Sequence, residues 1–247
     1  MKEIFEMSRE QLLALEPDVV TKPLSLDEML HIARNLGAFW SYDYEAQMAG
    51  RPGMHALLKS GRHSDGFFVS RILLKPENIR RIIASQMILQ LQKVRVPHPE
   101  YVIGVPDGAT LLGEMIAEML GVPCAVMNKH DGRLFLNTEL RSMASVLILE
   151  DFCTRGTGFK EAVIEVRSSH LSNGAWVLSY NPVIINRGGL REIVIEGVGV
   201  FKILSVVERK INDWDPTVLC PLCALGSVPI KPKATEENWQ TLLASQK

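Results

Sequence analysis

The sequence predicts an α/β protein: a parallel twisted sheet flanked by helices, wound on both sides. Three observations predict it. From Met54 onward, short runs rich in Val, Ile and Leu alternate with helical segments of about ten to fifteen residues. Runs such as "YVIGVP" and "SVLILED" are apolar on both faces, as in strands covered from both sides. The polar loops "VPDGAT", "NKHDGR" and "EDFCTRGTG" fall beyond the strand ends, where ligands sit in such sheets.

Residues 1–53 read as an N-terminal helical extension. "SREQLLALEP" opens on Ser8 as a cap and stops at Pro17, and "SLDEMLHIARNLGAF" places Ser25 and Glu28 in capping-box spacing. "HALLKSGRHSDGFFVS" reads as two short strands around a turn, and "KPENIRRIIASQMILQLQKV" as a helix with Pro76 near its first turn. Then come a strand at "YVIGVP", a helix at "ATLLGEMIAEMLG" closed by Gly121, a strand at "PCAVMNK", and "SVLILED" running into the helix "FKEAVIEVRSSH". "AWVLSYNPVII" and "GVFKILSVVE" supply further strands, and residues 234–247 a tail helix whose Trp239, Leu242 and Leu243 share a face for docking on the body.

With 247 residues, 47% hydrophobic and 22% charged, the chain has material for a proper core. A net charge of -1 gives no footprint for nucleic acid or a membrane surface, and no window offers the roughly 18 apolar residues of a membrane span. The N-terminus lacks the apolar core of a signal peptide, so a cytoplasmic location is expected. Cys124, Cys153, Cys220 and Cys223 are too few and scattered for a disulfide framework, and reduced thiols are expected. Cys220 and Cys223 form a lone CxxC; no second pair or nearby His follows, so a packing role is expected rather than zinc. The six histidines show no HxxxH or HExxH spacing.

The segment "VLILEDFCTRGTGFKEA", Val146 to Ala162, sets an apolar strand before two carboxylates and a Thr/Gly loop before a helix. It is neither a Walker loop, which needs GxxxxGK[ST], nor a Rossmann fingerprint, in which the glycines precede the acid. Backbone N–H groups from Thr154 to Gly158, at a helix start, suit a phosphate, and Glu150 with Asp151 suit a vicinal diol. A ribose 5-phosphate pocket fits the pair. The alternative is that both acids cap the helix while Thr154 to Gly158 makes a turn.

These residues carry a resemblance. "LILEDFCTRGTGFKEA" resembles the phosphoribosyl pyrophosphate (PRPP) signature of type I phosphoribosyltransferases. "LKSGRHSDGFF", "GVPDGATLLGEMIAEMLGVP" and "CPLCALGSVPIKPK" are similar to segments of bacterial orotate phosphoribosyltransferases, so that residues 54–233 resemble a transferase domain with a hood. The resemblance implies transfer of phosphoribose from Mg-PRPP to orotate in pyrimidine nucleotide synthesis, in a homodimer, with Mg²⁺ held through PRPP and no direct protein ligand. It implies that Glu150 and Asp151 hold the ribose hydroxyls. Thr154, Arg155, Gly156, Thr157 and Gly158 would hold the 5-phosphate, and Val105, Asp107, Gly108 and Ala109 would meet pyrophosphate. Lys59 would contact the PRPP phosphates, and Phe67 and Phe68 would lie along the pyrimidine.

Several functional positions depart from the family's pattern. The loop that usually carries an arginine or lysine cluster reads "MNKHDGRLFLNTELRS", leaving Lys129, His130, Arg133 and Arg141 as substitutes. Asp107 sets a negative charge beside a polyanion unless Mg²⁺ intervenes, and Arg155 replaces a small residue. Arg187 in "IINRGG" stands where an orotate-binding arginine is expected. His63 and His130 are the two histidines inside resembling segments. Two other readings stay open: a noncatalytic PRPP- or nucleotide-binding homologue, and a transferase for another base.

Overall fold

The computed structural model describes residues 3–215 and 217–247; Met1, Lys2 and Pro216 lie outside them. Two compact units form, one from Met1–Met29 with Leu73–Lys210 and one from Leu30–Ile72 with Ile211–Lys247. The divisions expected after residues 53 and 233 fall inside the second unit. Among the described residues, no helix is long and apolar enough to cross a membrane.

The first unit is built on strands that run parallel in the spatial order Gly199–Glu208, Tyr180–Asn186, Ser145–Cys153, Tyr101–Gly104. Glu192–Ile195, not anticipated from sequence, adds an antiparallel edge beside Gly199–Glu208. Ser145–Cys153 is central, and its successive side chains point to opposite faces. Val146 and Ile148 share a core with Phe159, Ala162, Val163 and Val166 of the helix Thr157–Ser168. Leu147 and Leu149, equally buried, lie outside that core and face the other way. Each such side chain contributes roughly 1.5–3 kcal/mol on burial, which is why this strand carries no polar residue between Ser145 and Glu150.

The helices begin where the sequence places their signals, but Arg9–Leu13 ends before Pro17, which opens a separate 3-10 turn, Pro17–Val19. Ser8 and Gln11 form a reciprocal capping box, and Pro76 caps Glu77–Lys93. Ser25 N–H donates to Glu28 Oε2 while Glu28 N–H donates to Ser25 Oγ. Gly121 ends Thr110–Leu120 in the left-handed region at φ 69°.

In the second unit, Met54–Leu57 pairs antiparallel with His63–Ser64 and parallel with Val228–Ile230, and Asp213–Trp214 closes the other edge. Phe39–Ser41 and Gly66–Phe68 form a separate antiparallel pair. The tail helix Glu236–Ala244, capped by Thr235, buries Trp239 and Leu242 against Trp40, Tyr42, Ala56 and Leu222. Trp239 Nε1 donates to Gly37 O, so the indole is buried with its polar atom satisfied. Trp239→Ala is therefore expected to cost about 3–5 kcal/mol. Urea unfolding checks this; an unchanged midpoint would mean that the tail helix adds nothing to this unit's stability.

Candidate functional site

The first unit brings two of the three expected loops to the carboxyl ends of adjacent parallel strands, whereas "NKHDGR" turns a separate two-stranded hairpin. Residues 105–109 leave Tyr101–Gly104, and Glu150, Asp151 and the Thr/Gly loop end the neighbouring strand Ser145–Cys153. Val105 N–H donates to Leu149 O and Ala109 N–H to Val105 O, fixing both ends of the first loop. Val105 and Ala109 are buried, and Asp107 between them is exposed. The Pro106–Asp107 peptide is cis. A Cβ on Gly108 would run into the Asp151 carboxylate, so only glycine lets this loop lie against the acid.

The two carboxylates divide the work. Glu150, on the face of the helix Thr157–Ser168, is buried; Phe159 N–H donates to its Oε1 and Asn181 Nδ2 to its Oε2. The capping alternative thus holds for Glu150, which anchors the helix's first turn. Burial pushes its carboxyl up to about 7. The charge of Asp151 adds to the rise, while the Asn181 and Phe159 hydrogen bonds and the charge of Arg187 oppose it. Asp151, one residue on, is half-buried beside the 105–109 loop, its Oδ1 accepting from Phe152 N–H.

The helix starts at Gly156, a left-handed N-cap with no side chain to satisfy its first turn. Just before it, Thr154 Oγ1 is buried without a hydrogen-bond partner among the described residues. Arg155 and Thr157 are exposed on this loop and Gly158 is half-buried. Arg187 and Gly188 donate their N–H groups to Cys153 O, and the Arg187 guanidinium stacks over the Phe152 ring at 5.6 Å. A Cβ on Gly188 would collide with Thr154 O, which requires glycine here. Burial pushes the Cys153 thiol up to about 12, so it is no nucleophile.

The expected cationic loop is a β-hairpin, Met127–His130 against Arg133–Leu136, turning at Asp131–Gly132 with positive φ at both residues. Its register pairs Lys129 with Leu134 and His130 with Arg133. Lys129 and Arg133 are both exposed yet stand on opposite faces. His130 Nδ1 lies 3.2 Å from Asp131 Oδ2, and Arg141 pairs with Glu100.

In the second unit, Lys59 is exposed in the turn of the hairpin formed by Met54–Leu57 and His63–Ser64. One expectation is corrected: Phe68 is only 2% exposed and stacks on Phe39 at 4.1 Å, leaving no face for a base. Its neighbour Phe67 points the other way in the strand, half-buried near Trp239. A second correction concerns the lone CxxC. The parallel pairing of Val228–Ile230 with Met54–Leu57 draws the Cys220–Cys223 turn against His55 and His63.

No protein-family model matches the chain. It is 29% identical over 181 residues to the orotate phosphoribosyltransferase of Acidithiobacillus ferrooxidans, covering 72% of this chain and 87% of that protein. To the orotate phosphoribosyltransferase of Heliobacterium modesticaldum it is 29% identical over 212 residues, covering 85% and 98%. Among solved structures, orotate phosphoribosyltransferase from Aeropyrum pernix matches with a TM-score of 0.52 at 20% identity, covering 73% of this chain and 93% of that one. Leishmania donovani UMP synthase matches at 0.50 and 19% identity, covering 86% and 41%. These two share its fold. The chain is thus similar in sequence to orotate phosphoribosyltransferases and shares the fold of two solved relatives.

Sequence reasoning missed Asn181, which is fully buried and holds Glu150 from the adjacent strand. The signal was an amide, Asn181, directly before the apolar run "PVII" of the same strand. Asn181 Oδ1 has no partner among the described residues, so a flip of the amide offers an acceptor to a protonated Glu150. Glu150 has a folded pKa above the ordinary 4.5, so the folded state holds this proton more tightly than the unfolded chain. Its contribution is fully present below about pH 4.5 and is lost as pH rises through about 7. Glu150→Gln, which presents an amide to the flipped Asn181, is expected to gain on the wild type by on the order of 3 kcal/mol across that window. Urea unfolding of both proteins between these pH values checks it; parallel profiles would show that Glu150 does not titrate there.

Proposed function

We propose that this protein transfers a phosphoribosyl group from PRPP to a ring nitrogen of orotate, releasing pyrophosphate. One observation carries the reading. The buried, partnerless Thr154 hydroxyl lies at the glycine-capped start of a helix, one turn of loop beyond an Asp151 packed against residues 105–109. A helix start with unmet donors takes a phosphate, and a carboxylate beside it accepts from sugar hydroxyls. That curated relatives are named orotate phosphoribosyltransferases supports orotate as the acceptor in this reading.

In this reading the Thr154–Gly158 loop binds the 5-phosphate and Asp151 accepts from the ribose. The buried carboxylate of Glu150 anchors the helix that carries the phosphate amides. The sugar gains positive charge as its bond to pyrophosphate stretches, and fixed acceptors aimed at it lower the barrier without covalent chemistry. Residues 105–109 face the departing pyrophosphate, with Lys129 or Arg133 supplying positive charge from the hairpin; the two stand on opposite faces, so one side turns to the anion at a time.

Magnesium fits this donor set. Asp107 and Asp151 offer hard oxygens, few in number, which suits an ion that keeps its water and is carried in by a phosphate ligand. Once bound, it would offset pyrophosphate charge beside Asp107. A homodimer is part of the same reading.

Calorimetric titration with PRPP and Mg²⁺ tests the shared step. Binding is expected, weakened at least about tenfold by Asp151→Asn, because a charge-assisted hydrogen bond is worth about 1.5–3 kcal/mol. No heat at millimolar PRPP would sink the transferase reading. If PRPP binds, turnover of orotate is then compared in wild type and Arg187→Ala; an unchanged KM for orotate would remove Arg187 from base recognition.

A further inference from the structure

We propose that His55, His63, Cys220 and Cys223 bind one structural zinc ion within the second unit. The four ligand atoms lie within 4.8 Å of one another. His55 Nε2 is 3.7 Å from Cys220 Sγ and 3.6 Å from Cys223 Sγ, and His63 Nδ1 is 3.4 Å from Cys223 Sγ. Tetrahedral zinc, with bonds of about 2.05 Å to nitrogen and 2.3 Å to sulfur, sets nitrogen and sulfur roughly 3.6 Å apart. All three contacts match. The two ring nitrogens, 2.7 Å apart, are closer than the roughly 3.3 Å that zinc requires, so the imidazoles must part by about 0.6 Å to admit it.

The surroundings prepare the ligands. Ser227 Oγ donates to Gly53 O and therefore accepts from His55 Nδ1 at 2.9 Å, which places the proton on Nδ1 and turns the Nε2 lone pair toward the cluster. This is the outer hydrogen bond that orients a metal-bound histidine. His55 and Cys220 are buried, while His63 and Cys223 are half-buried, so an ion has a way in but bulk water does not surround it. Two thiols with two imidazoles favour zinc over magnesium or calcium, which take oxygen. Pro221 and Leu222 between the cysteines shape a tight turn, with Ala224 N–H returning to Cys220 O.

Zinc here would join both strands of the Met54–Leu57/His63–Ser64 hairpin to the segment leading into Val228–Ile230. The turn between His55 and His63 carries Lys59, so the ion would fix the base of the loop that presents this lysine. The inference uses the second unit alone and does not depend on the transferase reading.

The test is metal analysis of the full chain expressed in zinc-supplemented medium and purified under reducing conditions without chelator. About one zinc per chain is expected, retained in Cys124→Ser and lost in Cys223→Ser and in the double variant Cys220→Ser/Cys223→Ser. Because those variants can fail to fold, wild type stripped by a chelator is also titrated with Co²⁺. Thiolate-to-cobalt charge-transfer and intense tetrahedral d–d bands are expected at one equivalent, displaced by zinc. The stripped protein should melt on the order of 10 °C lower and recover with zinc. Metal-free protein with no cobalt spectrum, or zinc held equally by the double variant, would overturn the proposal.

Discussion

A carboxylate that ends a buried strand and starts the next helix is the constraint from which the first unit's site follows. Ser145–Cys153 lies in the middle of a parallel sheet, and its chain must turn back over the sheet as a helix. The helix's first amides need acceptors, and Glu150 supplies one to Phe159 from inside the core. That bond holds the first turn against the strand end. The loop between them is thereby short and closely packed, with Gly156 at the left-handed N-cap and Gly188 where the neighbouring strand's exit touches Thr154. The helix's remaining unmet donors at Gly156 and beyond are the cradle that the proposed function assigns to a phosphate.

Burying Glu150 has an electrostatic consequence. A fully charged acid next to Asp151 would set two adjacent negative charges at the site to which the proposed function assigns a polyanionic donor. With its carboxyl pushed up to about 7, Glu150 is neutral for a large part of the time near neutral pH. Arg187, stacked on Phe152, supplies the nearby positive charge and works against that rise. The site is thus less negative than its two adjacent acids suggest, and Asp151 is left as the group facing the 105–109 loop.

Much of this was legible in the sequence because it is local or periodic. Doubly apolar strands, the cap at Ser8, the capping box at Ser25 and the stop at Gly121 each follow from residue types a few positions apart. What was not legible depends on pairing between distant segments. Asn181 gains its role only because Tyr180–Asn186 lies beside Ser145–Cys153, and the CxxC gains two histidines only because Val228–Ile230 joins Met54–Leu57. Phe68 shows the reverse error. A resemblance marked both phenylalanines as base contacts, but strand alternation sends one inward, and the stack on Phe39 takes it.

The same alternation bears on the altered cationic loop. In a flexible loop, Lys129, His130 and Arg133 could all turn toward one anion, and their number alone would matter. In a paired hairpin their directions are set. Lys129 shares its face with Met127, Leu134 and Leu136, which are buried, whereas His130 and Arg133 share the face of Asn128 and Phe135, which are exposed. Lys129 thus stands on the side that packs on the unit, although it is itself exposed. Arg133 keeps the open side, with a planar fork suited to paired phosphate oxygens. For the proposed transfer, the hairpin can thus present Lys129 without unpairing, whereas bringing both cations to one pyrophosphate would require the register between Lys129 and Leu134 to break.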